Sequence, residues 1–289
     1  METKNHESAY ALHEGAFGRA VVLELRDDLV AHAHAETQFA FWLGGARVQA
    51  NMATQTMQYS EDVALGTNAY ESHDARLLDE GHAVFLVFYI SKAWLDERRA
   101  ASGRPFYFPS PRVPISPALR QSCWRVLDII LTGNLDSARS GNLESEIETL
   151  ITTAIDATLA PVNPKGLPSR TVLLDHRLRA AIAYMREHVA EPISVKDVAG
   201  KVGLSRAQFF SLFRDQLNTT PQVFWSAVRV EEAVRRLVGR EAPLTSVAMD
   251  LGFSSPGNFS RFFREHMGVS PSIFRRVASG PEHPITGVS

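Results

Sequence analysis

The sequence predicts a multidomain α+β protein in which a β-rich N-terminal domain carrying a helical hairpin precedes an all-α domain. Three observations carry this expectation. Residues 19–90 are short alternating or apolar runs separated by turn signals, apolar residues recur at helical spacing from 118 onward, and the Pro/Gly-rich "APVNPKGLPS" at 160–169 cuts the chain into halves of opposite charge. Residues 1–169 hold 14 Lys+Arg against 21 Asp+Glu, a balance of −7, whereas residues 170–279 hold 16 against 10, a balance of +6. A basic domain joined to an acidic one suggests a polyanion partner for the basic half, although solvated helix faces give similar counts and charge alone does not choose between them.

Taken in order, "RAVVLEL", "TQFAFWL", "RVQANMA" and "HAVFLVFYI" read as strands divided by "LGG" and "LDEGH". Several strands at close spacing with no helical period between them argue for a sandwich or barrel rather than a βαβ sheet. The Pro-rich "RPFYFPSPRVPISP" at 104–117 closes it. Leu119, Cys123, Val126, Leu127 and Ile130 then share one helical face, and Ile147, Leu150, Ile151, Ala154, Ile155 and Leu159 share another. Two antiparallel helices joined around "TGNLDSARSGN" are predicted, either padding the β domain or forming a homodimer surface, and the second use is preferred. Beyond the linker, "TVLLDHRLRAAIAYMREHV" opens a run of helices with N-caps expected at Ser194, Ser205, Thr220, Thr245 and Ser254 and prolines Pro221, Pro256 and Pro271 in first turns. The expected boundaries are 1–116 for the sensing domain, 117–160 for the helical pair, 161–171 for the linker and 172–279 for the all-α domain.

Several classes are excluded or disfavoured. The chain has 289 residues with 45% hydrophobic and 21% charged, enough for two ordinary domains. A single cysteine, Cys123, rules out an internal disulfide, and its apolar helix position beside Trp124 reads as a buried structural thiol rather than a redox sensor. The polar opening lacks the apolar core of a secretory signal, and "HAVFLVFYI" is far too short to span a bilayer as a helix, so a cytoplasmic protein without a membrane partner is expected. No phosphate loop, nucleophile motif or catalytic carboxylate spacing is present, and no enzymatic residue or cofactor is assigned.

The basic half contains a repeat. "DVAGKVGLSRAQFFSLFRDQLNTTPQVF" (197–224) returns as "SVAMDLGFSSPGNFSRFFREHMGVSPSIF" (246–274), first at an offset of 49 and then, after one inserted residue, at 50. Val198 pairs with Val247, Ala199 with Ala248, Gly203 with Gly252, Phe209 with Phe259, Phe213 with Phe263, and Pro221 with Pro271. Two copies are too few for a solenoid, so two fused compact units are expected. Each reads as helix, Gly-containing turn, helix: the helix-turn-helix arrangement. Phe209, Phe213, Phe259 and Phe263 are assigned to the core. The opposite face carries the candidate DNA contacts Arg206, Ala207, Phe210, Ser211 and Arg214 in the first unit and Pro256, Gly257, Asn258, Ser260, Arg261 and Arg264 in the second. Arg261 and Asn258 are the best candidates for reading bases. The helical stretch 221–238 between the units spans about 27 Å at 1.5 Å per residue, enough to hold two recognition helices near one duplex turn apart.

Residues 172–277 resemble the DNA-binding domain of AraC/XylS-type transcription regulators, through Ala248, Asp250, Gly252, Phe253, Phe259, Arg261, Phe263, Arg264, Gly268, Ser270, Pro271, Phe274 and Arg275. The resemblance implies a bacterial transcription factor that binds double-stranded DNA, with RNA polymerase as a possible further partner, and whose other domain binds a small-molecule effector, dimerises, or both. Phe210 and Ser211, and Pro256 and Gly257, depart from the polar readers common in relatives.

In the N-terminal half, His32, His34 and His73 look like the ligating positions of a cupin-type jelly roll. Two histidines two apart on a strand face one side, and with a third they could bind Zn²⁺, Fe²⁺ or Mn²⁺. Glu36, however, stands closer to His34 than a metal-binding cupin places its carboxylate. The preferred expectation is therefore no metal, with an organic effector in a pocket lined by His32, His34, Gln38, Trp42 and His73. The alternatives are a cupin metalloenzyme fused to a DNA-binding domain, or an N-terminal domain that only dimerises.

Overall fold

The structure is a computed structural model that describes residues 9–278 apart from 53–54, 105, 133–136, 160–173, 218 and 239–241, so the expected linker at 161–171 lies outside the described residues. The N-terminal half contains β1 (Ala9–Gly15), β2 (Gly18–Leu25), β3 (Leu29–His32), β4 (Thr37–Gly45), β5 (Val48–Met52), β6 (Gln55–Gln58), β7 (Val63–Thr67), β8 (His73–Leu77) and β9 (Ala83–Ile90). Then come α1 (Lys92–Ser102), β10 (Arg112–Pro114), α2 (Pro117–Thr132) and α3 (Ser137–Leu159). The strands form two antiparallel sheets, a six-stranded β1-β2-β9-β4-β7-β10 and a four-stranded β3-β8-β5-β6. The expected β-rich N-terminal domain is present, as two antiparallel sheets.

Why its strands read as unbroken apolar runs follows from the two-residue side-chain period. Along β2, β4 and β9, Ala20, Val22, Phe39, Phe41, Leu86 and Phe88 turn toward a core shared with the helices, where Leu119, Cys123, Ile147 and Ile151 are buried. The alternate residues Val21, Leu23, Ala40, Phe85 and Val87 turn toward the second sheet. Both faces are covered, so both are largely apolar. The helix α1 belongs to a stretch for which the sequence reading names no element. Ser91 caps it by accepting from Trp94 N at 3.2 Å, and Gly103 ends it with φ 68°. It escapes pattern reading because only Trp94 and Leu95 are buried along its length.

The C-terminal half comprises α4 (His176–Glu187), α5 (Val195–Lys201), α6 (Arg206–Leu217), α7 (Pro221–Val238), α8 (Leu244–Asp250), α9 (Pro256–Met267) and α10 (Pro271–Ala278). Ser194 forms a full capping box with Asp197, Ser205 Oγ accepts from Gln208 N, and Thr220 Oγ1 accepts from Val223 N, as expected. Two expected caps are wrong by one or two residues. α8 starts at Leu244 behind Pro243 rather than at Thr245, because the 49-residue offset places Pro243 where Ser194 stands. α9 is capped by Ser255, whose Oγ accepts from Asn258 N at 3.2 Å; Ser254 instead accepts from the Asn258 amide side chain at 2.7 Å. The inserted residue of the second copy thus sits ahead of the cap, leaving four residues from cap to buried Phe in both units.

The two halves share a core. Val230, Ala233, Val247, Phe259, Phe263 and Met267 belong to the same buried cluster as the inner face of the sheets. The first helix-turn-helix unit has its own cluster, into which Tyr70 of the β7–β8 connection inserts.

Candidate functional site

The two helix-turn-helix units have the geometry the repeat requires. Gly203 and Gly252, at the turns, adopt φ +70° and +71°, a region favouring glycine, and Ala199 and Ala248 one turn earlier are buried where the second helix crosses. Phe209, Phe213, Phe259 and Phe263 are buried, as assigned. Arg229 of α7 braces the second turn: its guanidinium donates to Leu251 O at 2.6 Å and lies 4.0 Å from the Phe253 ring centroid.

Of the expected DNA contacts, Arg206, Ala207, Ser211 and Arg214 on α6 and Pro256, Gly257, Asn258 and Arg261 on α9 are exposed, while Phe210, Ser260 and Arg264 are half-buried. Phe210 is roofed by the Arg206 guanidinium at 5.3 Å, which limits its freedom to meet a base. The Ser211 hydroxyl donates to Asp215 Oδ2 at 3.1 Å. Arg261 and Arg264 share a crevice with Glu24 near the end of β2 and with Asp27 and Asp28 of the β2–β3 connection, so an acidic segment of the N-terminal half flanks the outer face of α9. Nothing in the sequence pattern signals that neighbour, because it comes from more than 200 residues away.

A second site lies between the sheets. His32 and His73 are directly opposite across the β3–β8 ladder, and His34 follows two residues beyond His32. The ring centroids are 4.9 Å apart for His32 and His34, 4.4 Å for His32 and His73, and 5.3 Å for His34 and His73. All three side chains are buried. Desolvation holds the His32 and His34 imidazoles well below their usual pKa, with the neighbouring imidazoles adding to it, and burial lowers His73 as well, so the neutral rings are favoured. His32 Nδ1 donates to Val30 O at 2.7 Å and His73 Nδ1 to Glu71 O at 3.0 Å, which leaves each Nε2 with a lone pair. The Nε2 atoms of His34 and His73 are buried without a hydrogen-bond partner, at a cost of about 1 to 3 kcal/mol each.

The histidines open on a small cavity whose wall also includes Gln38, Tyr59, Phe85, Tyr89 and, from α9, His266 and Met267. Of the residues expected to line an effector pocket, His32, His34, Gln38 and His73 stand in this wall. The structure does not bring Trp42 to it: Trp42 is half-buried and packs on the apolar core, its indole N–H donating to Ala46 O at 3.3 Å. Glu36 is held by Arg19 at 2.7 Å. The sequence reading missed Tyr59, Tyr89, His266 and Met267; the repeat treats the last two as part of a recognition helix, and only the docking of α9 against β3 brings them here. Cys123 is buried and desolvation pushes its thiol up to about 12, as a structural cysteine requires.

Residues 198–277 match the family described as a helix-turn-helix domain. The HTH-type transcriptional regulator YobQ of Bacillus subtilis is 25% identical over 247 residues, covering 86% of this chain and 89% of its own length. The chain thus carries a helix-turn-helix domain at 198–277, and the relatives it matches are named as transcriptional regulators. The arabinose operon regulatory protein of Escherichia coli is 32% identical over 117 residues, 40% of this chain and 39% of its own, and the RCS-specific activator RclR of the same organism is 31% identical over 44% of each. Those two matches thus span less than half of the relatives' lengths. Among solved structures, unsaturated fatty acid bound ToxT from Vibrio cholerae superposes with a TM-score of 0.57 at 12% identity, covering 96% of this chain and 98% of that one. At that identity the likeness shows the two-part fold alone, and it places this regulator's β domain and paired helix-turn-helix units in an arrangement already seen in a crystal. Among the described residues no helix of the regulator is long and apolar enough to cross a membrane.

Proposed function

We propose that this regulator reads two adjacent major-groove segments with α6 and α9, and that a small ligand in the histidine-lined cavity controls how freely it does so. The observation that carries the reading is the position of α9. Its outer face presents Asn258 and Arg261, while its inner face places His266 and Met267 in the cavity wall, so one helix belongs to both sites. Exposed Arg206 and Arg214 supply phosphate or guanine contacts on α6. The proposed boundaries are 1–116 for the sensing part, 117–160 for the stretch carrying α2 (Pro117–Thr132) and α3 (Ser137–Leu159), 161–171 for the linker and 172–279 for the DNA-binding part.

Homodimerisation is assigned to α2, where Trp124 and Leu131 are 47% and 52% exposed and two helical turns apart. Relatives named as activators support RNA polymerase as a further partner. A cytoplasmic location agrees with a DNA partner.

Selection of bound sequences from a random duplex library by the full-length protein tests the reading. Two enriched short blocks about 10 base pairs apart, one helical turn, are expected. A single block would reduce α6 to a backbone anchor, and no enrichment over random DNA would overturn sequence-specific binding.

A further inference from the structure

The cavity between the sheets is about 40 Å³, whereas pockets for organic ligands run from about 300 to 1,000 Å³. It has room for an ion with a water or two. Its polar wall is dominated by imidazoles: the ligand-capable atoms of His32, His34 and His73 all lie within 4.8 Å of one another. Tetrahedral zinc–nitrogen bonds of about 2.0 to 2.1 Å place nitrogens about 3.4 Å apart, so side-chain movements of an ångström or so bring the three into register around one ion. Nδ1 of His32 and of His73 is already tied to a backbone carbonyl, the supporting bond that fixes the ring and aims Nε2 at a metal. The buried Nε2 of His73 is an unpartnered acceptor that an ion would satisfy, and the buried Nε2 of His34 also lacks a partner.

We propose that His32, His34 and His73 bind one divalent transition metal ion of the zinc class through imidazole nitrogens, and that this ion is the ligand to which the DNA-binding half responds. The second clause rests on the proposed function above. The donor set decides the class. Three neutral nitrogens suit zinc and its neighbours, calcium and magnesium demand oxygens, and no thiolate is present to select copper(I) or a cluster. Asp74, next to His73 on β8, supplies a nearby negative charge while its Oδ1 accepts from Asn51, and Glu36 is held by Arg19. Three protein ligands leave a fourth position for water or a small anion.

The path from the ion to DNA runs through both reading units. His266 and Met267 of α9 stand in the cavity wall, and the His266 ring centroid is 6.2 Å from that of His32. On the other side His34 O accepts from Tyr70 N at 2.7 Å. Tyr70 holds a positive φ of 65°, packs its ring at a tilt on Phe224 of α7 with centroids 4.5 Å apart, and hydrogen-bonds Arg186 of α4. Drawing the three imidazoles together therefore acts on the second unit through α9 and on the first through Tyr70.

The test uses the full-length protein stripped with chelator, the operator recovered by the selection above, and Zn²⁺ or Co²⁺ alone as probe. Calorimetry is expected to show one Zn²⁺ per chain, and Co²⁺ the visible absorption of a four-coordinate nitrogen site. Both should be lost in His34→Gln and in His73→Asn, with far-UV circular dichroism confirming that at least one variant is folded. Operator affinity should change by 5- to 150-fold with Zn²⁺, the usual range of coupling between sites. A folded protein that binds DNA but no metal would overturn the site and leave the regulator reading intact. Stoichiometric metal with unchanged operator affinity would overturn the coupling. Metal binding without any DNA preference would overturn the proposed function and leave the metal site standing.

Discussion

Alanine at the paired glycines Gly203 and Gly252 separates what the repeat shares from what the tertiary structure adds. Both have φ near +70°, where an L-residue costs about 1 to 2 kcal/mol, and alanine regains about 0.4 to 1 kcal/mol through the unfolded chain. By local conformation alone the two substitutions are equal, at about 1 kcal/mol each. A Cβ on Gly203, however, meets no atom within 4 Å, whereas on Gly252 it lies 2.8 Å from Ala190 O, a backbone atom that cannot swing away. Forced overpacking of this kind adds about 1 to 3 kcal/mol. Urea unfolding followed by circular dichroism is therefore expected to rank wild type above Gly203→Ala above Gly252→Ala. A difference of 1 kcal/mol at a slope of about 2 kcal/mol/M separates the variants by about 0.5 M in midpoint. Equal midpoints, or Gly203→Ala as the weaker protein, would refute the assignment of the Ala190 contact.

Arg261→Ala should weaken operator binding by about 1 to 3 kcal/mol and relax choice at one base pair, whereas Arg214→Ala should weaken all sequences alike and flatten the salt slope by about one unit; fluorescence anisotropy on operator and random duplexes reads both, and equal losses for Arg261→Ala would remove it as a base reader. Tyr70→Asn keeps a residue that tolerates positive φ but deletes the ring on Phe224, costing about 0.5 to 1.5 kcal/mol beyond lost burial, and hydrogen exchange should rise in α4 and α7 before β2 or β9. Cys123, with its thiol raised to about 12, should resist a disulfide reagent at pH 8 until urea unfolds the chain, and immediate labelling would contradict its burial. Leu131→Glu on the exposed side of α2 should shift sedimentation toward monomer without loss of secondary structure, and an unchanged dimer would move the self-association surface elsewhere.

What the sequence determined by itself was local or periodic. The strands of residues 18–25, 37–45 and 83–90, the hairpin α2–α3, the paired helix-turn-helix units, their buried phenylalanines and the Ser194 capping box follow from side-chain periods of 2 and 3.6 and from hydrogen bonds that close within four residues. The spacing of His32 and His34 also announced a common side. Tertiary structure decided the rest. That His73 stands opposite His32 depends on the β3–β8 register, which no local pattern fixes. That α9 both reads outward and walls the cavity with His266 and Met267, that Tyr70 plugs the first unit, and that Trp42 points into the core depend on two halves packing across a long separation in sequence. Periodicity tells a residue which face is apolar; only the packed fold tells it what lies against that face.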